Sequence, residues 1–293
     1  MESADTSLSM LISVEDLARR IFGDDKKSIK ADAFDSLKII DVSAGGDPAA
    51  EAFKTKAIPN ALFIHVFKTL KDKDGKYPNA FPPAEVVKEH LEALGINKTD
   101  ELVLYSHPGK HSGATRAYII FNHYGLNVKI LDGGLKKYEE LGYPIQEGTE
   151  YTGEKSTIDS LESSEDLVVT LEEMHNFEEG KVDTFQVVDC RGAKDFNGEA
   201  NDNIEGCRQG NIKGAINIEA SEFLNKDGTF KSEEEITGLV EKYKLDPEKE
   251  TVCMCRTGIA ATVGVFGFKK APSIGFPKVK LYDGSWSEYG SNY

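Results

Sequence analysis

The sequence has few cysteines, few basic side chains and no long apolar run, and each shortage excludes a class of protein. Four cysteines in 293 residues are too few for a disulfide framework, so we expect a reducing, cytosolic setting. The 35 basic side chains stand against 50 acidic ones, and the net charge of −15 repels phosphate backbones and anionic lipids. No apolar run approaches the ~18 residues of a membrane span. We therefore expect neither a nucleic acid nor a membrane as a partner.

The amino-terminal segment has no pattern that would direct the chain to another compartment. It contains Glu2, Asp5, Glu15 and Asp16, whereas a transit peptide is rich in arginine and poor in acidic residues. It also has no compact apolar stretch behind basic residues, as a secretory signal would. The sequence thus predicts a cytoplasmic protein, with the mitochondrion as the alternative.

The rest of the composition is that of a globular chain. Hydrophobic residues make up 39% of the sequence and aromatic residues 9%, which excludes a disordered chain. At roughly 100–200 residues per domain, 293 residues correspond to about two domains. Either half is long enough to bury a core of its own.

Internal repeats indicate how these domains arose. Four short segments occur twice, in the same order and at offsets of about 150 residues. The pairs are residues 40–41 with 188–189, 57–61 with 211–215, 101–106 with 250–255, and 131–135 with 282–286. Four ordered matches at nearly one offset predict a duplicated domain. We place the first domain at residues 1–147, a linker rich in Glu, Ser, Thr and Gly at 148–164, and the second domain at 165–293.

Each copy alternates short apolar strands with helices. The predicted strands are residues 37–42, 102–105, 128–131, 185–189, 251–254 and 279–282, and helices such as 83–94, 113–124, 233–243 and 261–268 lie between them. This alternation predicts an α/β fold in which each domain is a parallel sheet flanked by helices. In such a sheet, ligands bind where strands end and loops lead into helices.

Two equivalent loops occupy such positions, residues 106–112 and 255–260, and only the second begins with a thiol. At that position Cys255 meets the positive end of a helix and a ring of backbone N–H groups, both of which favour the thiolate. Arg256 adds a positive charge beside it. A cysteine is by type more often a small buried hydrophobe, but the loop and the adjacent arginine favour a nucleophile.

A thiolate held in a loop before a helix serves either phosphate or sulfur chemistry. Cysteine-dependent phosphatases need an arginine six positions after the cysteine to clamp the phosphate. Here that position is Ala261, and no other arginine follows in the helix. Sulfur chemistry is therefore the better candidate, with a persulfide on Cys255 held by the same N–H groups.

These features together resemble the tandem-domain rhodaneses, the thiosulfate and 3-mercaptopyruvate sulfurtransferases. The signatures are Ala57-Ile58-Pro59-Asn60-Ala61, Leu131-Asp132-Gly133-Gly134-Leu135, Gly210-Asn211-Ile212-Lys213-Gly214-Ala215-Ile216-Asn217 and Tyr282-Asp283-Gly284-Ser285-Trp286, the last behind a Cys-Arg-x-Gly loop. The resemblance implies two rhodanese-like domains, of which the first is catalytically inert. Ser106 stands where the first domain would need its thiol.

The resemblance also implies a double displacement. Cys255 takes the sulfane sulfur of a small anionic donor, and a thiol, cyanide or a thioredoxin-like protein then accepts it. It implies no metal and no organic cofactor. The loop residues Arg256, Thr257, Gly258, Ile259 and Ala260 would hold the anionic sulfur through backbone N–H groups. Gly258 would let the loop curl tightly, because glycine adopts positive φ without cost.

The donor-binding residues depart from the family pattern. An arginine is expected four positions after Arg191, but Asp195 stands there, and the nearest cation is Lys194. Lys194 and Arg208 are the candidate donor-binding residues. Arg191 itself is predicted to order the strand end. The acidic residue expected of mercaptopyruvate-type members near residues 64–67 is absent, which favours thiosulfate or a persulfide as the donor.

Three hypotheses follow from this pattern. The main one is a thiosulfate-type sulfurtransferase, with the 3-mercaptopyruvate type as its alternative. A second class is a non-catalytic, rhodanese-like binding or regulatory protein, suggested by the missing arginines and the acidic surface. A third is a thiol-oxidation sensor that uses Cys255 with Cys190 or Cys253.

Overall fold

The computed structural model describes residues 9–23, 28–44, 47–107, 111–164, 166–200 and 206–291. The chain divides into two compact units. The first unit comprises Met1–Val66 with Lys88–Leu161, and the second comprises Phe67–Val87 with Glu162–Tyr293. Within the described part of the chain, no helix is long and apolar enough to cross a bilayer.

The first unit is built on a parallel sheet. Its strands are β1 (Leu11–Ile12), β2 (Leu37–Asp41), β3 (Leu62–Phe63), β4 (Glu101–Tyr105) and β5 (Asn127–Leu131). They lie in the order β1-β5-β4-β2-β3, and every neighbouring pair is parallel. In the central pair, Ile39 of β2 lies opposite Val103 of β4, and both are fully buried.

Helices cover the strands of this sheet, as the unbroken apolar character of β4 requires. They are α1 (Val14–Phe22), α2 (Asp47–Thr55), α5 (His111–His123) and α6 (Gly134–Glu140); the chain between β3 and β4 forms α3 (Val66–Thr69) and α4 (Ala84–Ala93). Helix α5 is buried along most of its length, and α1 turns Leu17 and Ile21 into the core.

The second unit repeats the plan. Its strands are β6 (Phe185–Asp189), β7 (Ile216–Asn217), β8 (Glu250–Met254) and β9 (Val279–Leu281), in the order β7-β6-β8-β9 and all parallel. Val168 forms a parallel bridge to Leu281 at the outer edge of β9, the place that β1 takes beside β5 in the first unit.

The helices of the second unit surround that sheet. They are α7 (Leu171–Glu178), α8 (Ala193–Phe196), α9 (Glu233–Tyr243), α10 (Ala261–Lys269) and α11 (Ser285–Tyr289), with 3-10 turns at Ala220–Phe223 and Pro272–Ile274. Capping boxes begin two of them: Thr170 with Glu173 at α7, and Ser232 with Glu235 at α9. The helix α10 is buried on nearly all sides, so the loop that precedes it is anchored at both ends.

The predicted fold class, a tandem α/β fold with parallel sheets flanked by helices, is confirmed. Predicted strands and helices differ from the observed ones by at most two residues at an end, where propensity is least informative. Phe67–Val87 belongs to the second unit, which no local pattern indicated. The predicted limits at residues 147 and 165, and the inert role of the first domain, stay predictions.

Candidate active site

Cys255 follows β8 directly and begins the loop that leads into α10. Its side chain is buried, with 2% of the residue exposed. Cys190, the residue after β6, donates its backbone N–H to the carbonyl oxygen of Met254 at 2.7 Å, which extends the β6–β8 pairing to the strand end. The parallel ladder therefore brings the ends of both strands to one edge, the position where α/β proteins bind ligands.

The segment after β9 fixes the Cys255 backbone. The N–H of Cys255 donates to Oγ of Ser285 at 3.1 Å, and this hydroxyl donates to the carbonyl oxygen of Tyr282 at 2.8 Å. In return, the carbonyl oxygens of Cys255 and Arg256 accept the N–H groups of Trp286 at 3.0 Å and Ser287 at 2.8 Å. Cys255 is thus held by a neighbouring element as well as by its own loop.

Gly258 is the residue on which the shape of the loop depends. Its φ of +77° lies in the left-handed region, which other L-residues adopt only at a cost. A Cβ atom there would lie 2.4 Å from the carbonyl oxygen of Asp283. The sequence prediction of a glycine that lets the loop curl agrees with both observations.

The loop contains backbone N–H groups that are available to bind an anion. Within the described residues, the N–H groups of Thr257, Ile259 and Ala260 donate to no protein acceptor. The carbonyl oxygen of Thr257 accepts a hydrogen bond from Nδ2 of Asn79 at 3.4 Å. Because these N–H groups precede the amino terminus of α10, the helix dipole adds to the positive potential around Cys255.

A pocket beside the loop is rich in arginine. Its lining residues are Arg191, Asp195, Cys207, Arg208, Gln209, Gly210, Arg256 and Trp286. The guanidinium carbons of Arg191 and Arg208 lie 4.5 and 4.7 Å from the centroid of the Trp286 ring, which is the geometry of a cation–π contact. The indole Nε1 also donates to the carbonyl oxygen of Arg208 at 2.9 Å, so Trp286 positions both arginines.

Each arginine of this pocket has a carboxylate partner. Arg191 donates to both oxygens of Asp189, from Nη2 at 2.6 Å and from Nε at 3.0 Å. Arg256 is paired with Asp195, and Nη2 of Arg208 lies 3.7 Å from a Glu178 oxygen. Burial raises the pKa of Asp189 above its ordinary value, although the bonds with Arg191 act in the opposite direction.

The sequence-predicted donor-binding residues lie in different places. Arg208 lines the pocket next to Arg256. Lys194 lies on α8 with its side chain exposed, and it is not among the residues that line this pocket. Arg191 orders the end of β6 and also lines the pocket. Sequence reasoning missed the Asp195–Arg256 pair, because spacing along the chain does not show where either side chain points.

The other thiols of this unit lie in two environments. Cys190 and Cys253 are buried, and a Cβ atom on Gly264 would lie 2.8 and 3.2 Å from their sulfur atoms. A hydrogen bond with Cys253 and burial raise the pKa of the Cys190 thiol well above its ordinary value. Cys207 is half-buried, and its sulfur lies 2.9 Å from Oγ of Ser291.

The first unit has the same backbone plan without the thiol. The carbonyl oxygen of Ser106 accepts the N–H of Leu135 at 3.1 Å, as Cys255 accepts that of Trp286. Asp41, the counterpart of Asp189, binds Ser43 and lies 2.9 Å from Nε2 of His107. Residues 108–110 of the corresponding loop lie outside the described residues. Ser106 is buried and provides no sulfur nucleophile.

The duplicated α/β units, with one cysteine loop at a strand end, define a class that comparisons with known proteins identify. The sequence model of the rhodanese-like domain matches the chain twice, over residues 24–141 and 170–292. The chain therefore belongs to the rhodanese family, as a tandem member.

Curated relatives match along most of their length. The chain is 31% identical over 247 residues to 3-mercaptopyruvate sulfurtransferase of Homo sapiens, covering 83% of this chain and 80% of that protein. It is 32% identical over 246 residues to thiosulfate sulfurtransferase of Gallus gallus, covering 82% and 81%. The crystal structure of SseA of Escherichia coli, described as a 3-mercaptopyruvate sulfotransferase, matches with a TM-score of 0.77 and 25% identity, over 96% of this chain and all of that one.

Proposed function

We propose that the protein is a sulfurtransferase in which Cys255 carries a sulfane sulfur from a donor, of which thiosulfate is the simplest, to a thiol or cyanide. The observation that supports this most directly is the loop of Cys255, which begins with a buried thiol and contains three backbone N–H groups that have no acceptor among the described residues. Its relatives named as sulfurtransferases support the same reaction class.

The reaction proceeds in two displacements. The Cys255 thiolate attacks the outer sulfur of thiosulfate, the sulfur–sulfur bond of the donor breaks, and sulfite leaves with the bonding electrons. The product is a Cys255 persulfide. Cyanide or a thiolate then attacks the outer sulfur of the persulfide, which releases thiocyanate or a new persulfide and restores the Cys255 thiolate. No oxidant or reductant is consumed.

The loop is suited to the anionic intermediate. A persulfide carries its negative charge on the outer sulfur, one atom further from the backbone than the thiolate. Stabilising this charge therefore requires hydrogen-bond donors from several residues of the loop. The N–H groups of Thr257, Ile259 and Ala260 are such donors. The start of their loop is already held before the reaction, because Cys255 and Arg256 are hydrogen-bonded to Ser285, Trp286 and Ser287. Preorganised donors of this kind stabilise developing charge without reorganisation.

Turnover with cyanide tests the proposal. Purified protein is incubated with thiosulfate or 3-mercaptopyruvate and cyanide, and thiocyanate is measured for the unaltered protein, for Cys255→Ser and for Ser106→Ala. We expect thiocyanate from the unaltered protein and from Ser106→Ala, and none above background from Cys255→Ser. The donor that gives the higher rate distinguishes the thiosulfate type from the 3-mercaptopyruvate type.

Two results would overturn the proposal. Full turnover by Cys255→Ser would show that another group carries the sulfur. Absence of turnover with any sulfane donor would favour a non-catalytic binding or regulatory protein.

A further inference from the structure

The arginine pocket beside Cys255 holds almost no uncompensated positive charge. Its three guanidinium groups are each matched by a carboxylate: Arg191 by Asp189, Arg256 by Asp195, and Arg208 by Glu178. A small dianion that enters this pocket therefore meets pairs of opposite charge and not free cations. The net charge of −15 on the whole chain adds to this barrier.

The Asp195–Arg256 pair is the one that a donor can open. The Arg191–Asp189 pair is buried, with 4% and 0% of the two side chains exposed, and it orders the end of β6. The side chains of Arg256 and Asp195 are 31% and 26% exposed, and both line the pocket. Arg256 directly follows Cys255 in the chain, so this pair belongs to the same loop as the thiol.

A zwitterion matches both members of such a pair. Its carboxylate can bind the Arg256 guanidinium while its ammonium group binds the Asp195 carboxylate. Both protein charges then keep a partner of opposite sign. Under this condition, replacing the ion pair costs little free energy. A ligand with a carboxylate alone would displace Asp195 and leave that acid beside the ligand's own negative charge.

We propose that Asp195 selects the sulfur donor, and that the preferred donor class is a zwitterionic α-amino-acid persulfide, for which cysteine persulfide is the probe. This inference rests on the proposed function and specifies its substrate class. The Cys255 thiolate attacks the outer sulfur of R–S–S–H, the sulfur–sulfur bond breaks, and R–S⁻ leaves with the bonding electrons. Cys255 then holds the outer sulfur and its hydrogen as Cys255–S–S–H, so atoms and electrons balance without a co-reactant.

Donors that differ only in charge test the selection. Cysteine persulfide carries both groups, the persulfide of 3-mercaptopropionate lacks the ammonium group, and the persulfide of cysteamine lacks the carboxylate. We expect kcat/KM for cysteine persulfide to exceed that for either single-charge analogue, and that for thiosulfate, by about tenfold. Equal rates for all three persulfides, or thiosulfate as the best donor, would overturn the inference.

Variants at Asp195 assign the selection to that residue. Asp195→Asn removes one negative charge from beside the Arg256 guanidinium, so kcat/KM should rise about tenfold for thiosulfate and fall about tenfold for cysteine persulfide. Asp195→Glu keeps the charge and should keep the order of donors. Glu199→Gln is the matched control, because it removes one exposed charge near the same helix without lining the pocket.

The outcomes distinguish a failure of donor selection by Asp195 from a failure of the proposed sulfur transfer. If Asp195→Asn changes the ratio of the two donors no more than Glu199→Gln does, Asp195 does not select the donor even though sulfur transfer stands. If no donor loads Cys255 in any of these proteins, the proposed function itself fails.

Discussion

Ser285 combines a strained backbone with a hydrogen bond to Cys255, the proposed nucleophile. Its φ of +51° is in the left-handed region, which costs a residue other than glycine about 1–2 kcal/mol. The first unit has Gly134 at the same point of its repeat, with φ of +58°. The second unit therefore keeps a serine at a position that favours glycine, and the serine hydroxyl accepts the N–H of Cys255.

Substitution of Ser285 should separate stability from activity. Ser285→Gly relieves the backbone strain and loses the hydroxyl, so its free energy of unfolding should stay within about 1 kcal/mol of the unaltered protein. Its rate of Cys255 persulfide formation should fall about tenfold, because the loop loses its anchor. Ser285→Ala keeps the strain, loses the bond and should lose about 1–2 kcal/mol. Chemical denaturation and single-turnover kinetics check both variants, and a fully active Ser285→Gly would contradict this role.

Gly258 gives a second prediction, with a control in the same unit. Gly258→Ala combines a left-handed backbone with an approach of 2.4 Å to Asp283, so we expect at least about 2 kcal/mol of destabilisation and loss of sulfur transfer. Gly238 lies on the exposed side of α9, where an added Cβ meets nothing within 4 Å. Gly238→Ala should raise stability by about 0.5–1 kcal/mol and leave transfer unchanged. Thermal unfolding and a sulfur-transfer assay compare the two variants. Equal stability and equal activity of Gly258→Ala and Gly238→Ala would contradict the role of Gly258.

Some of the residues near Cys255 could be recognised from the sequence, and others could not. Cys255 and Gly258 could be singled out from the sequence because a cysteine at a strand end and a glycine in a tight loop have local signatures. Asp195 could not be interpreted, since its effect depends on contact with Arg256, some 60 positions away in sequence. Trp286 belongs to a signature of the sequence, but its contact with two guanidinium groups could be seen only in the structure.

Among the secondary-structure elements, a single carboxylate joins three parts of the first unit. Glu101 begins β4, and its oxygens lie 2.6 Å from Nη1 of Arg20 on α1 and 2.9 Å from Nζ of Lys129 on β5. Burial tends to raise the pKa of Glu101, but the bonds with Lys129 and Arg20 outweigh it and lower that pKa below its ordinary value. The carboxylate therefore stabilises the folded state only while it is ionised.

The pH dependence of stability tests this arrangement. A lowered pKa in the folded state gives stability that is present above the unfolded pKa of about 4.3 and is lost as the pH falls through the folded value. At neutral pH, Glu101→Gln should therefore be less stable than the unaltered protein by about 1 kcal/mol. This difference should shrink as the pH falls below about 4.3. Urea unfolding at several pH values measures it, and a difference independent of pH would exclude the ionic origin.

For the whole molecule, the duplication of the domain could be recognised in the sequence because each copy keeps its buried strands and its strand-end loops. The paired signatures placed the parallel strands closely, since apolar runs between polar turns leave few alternatives. The grouping of Phe67–Val87 with the second unit could not be predicted from the sequence. This segment is rich in proline and charged residues, which is typical of a surface connection. Composition alone does not determine against which core such a connection packs.

The net charge of the chain gives a prediction about approach of the donor. A charge of −15 repels thiosulfate, a dianion, at distances beyond the pocket. Raising the ionic strength from about 0.01 M to 0.15 M shortens the screening length from roughly 30 to 8 Å, so kcat/KM for thiosulfate should rise. For a donor without net charge it should change little. Initial rates across a salt series check this, and a rate with thiosulfate that falls with salt would indicate attraction by a local basic surface.

The most direct test of sulfur transfer through Cys255 is the mass of the protein after one donor turnover. Reduced protein is mixed with cysteine persulfide or thiosulfate in the absence of an acceptor, desalted, and weighed intact, and the modified peptide is then located. We expect a gain of one sulfur on Cys255, assigned by fragmentation because Cys253 lies two residues away, lost on addition of cyanide and absent in Cys255→Ser. A sulfur gained on Cys190, Cys207 or Cys253 while Cys255 stays unmodified would contradict it.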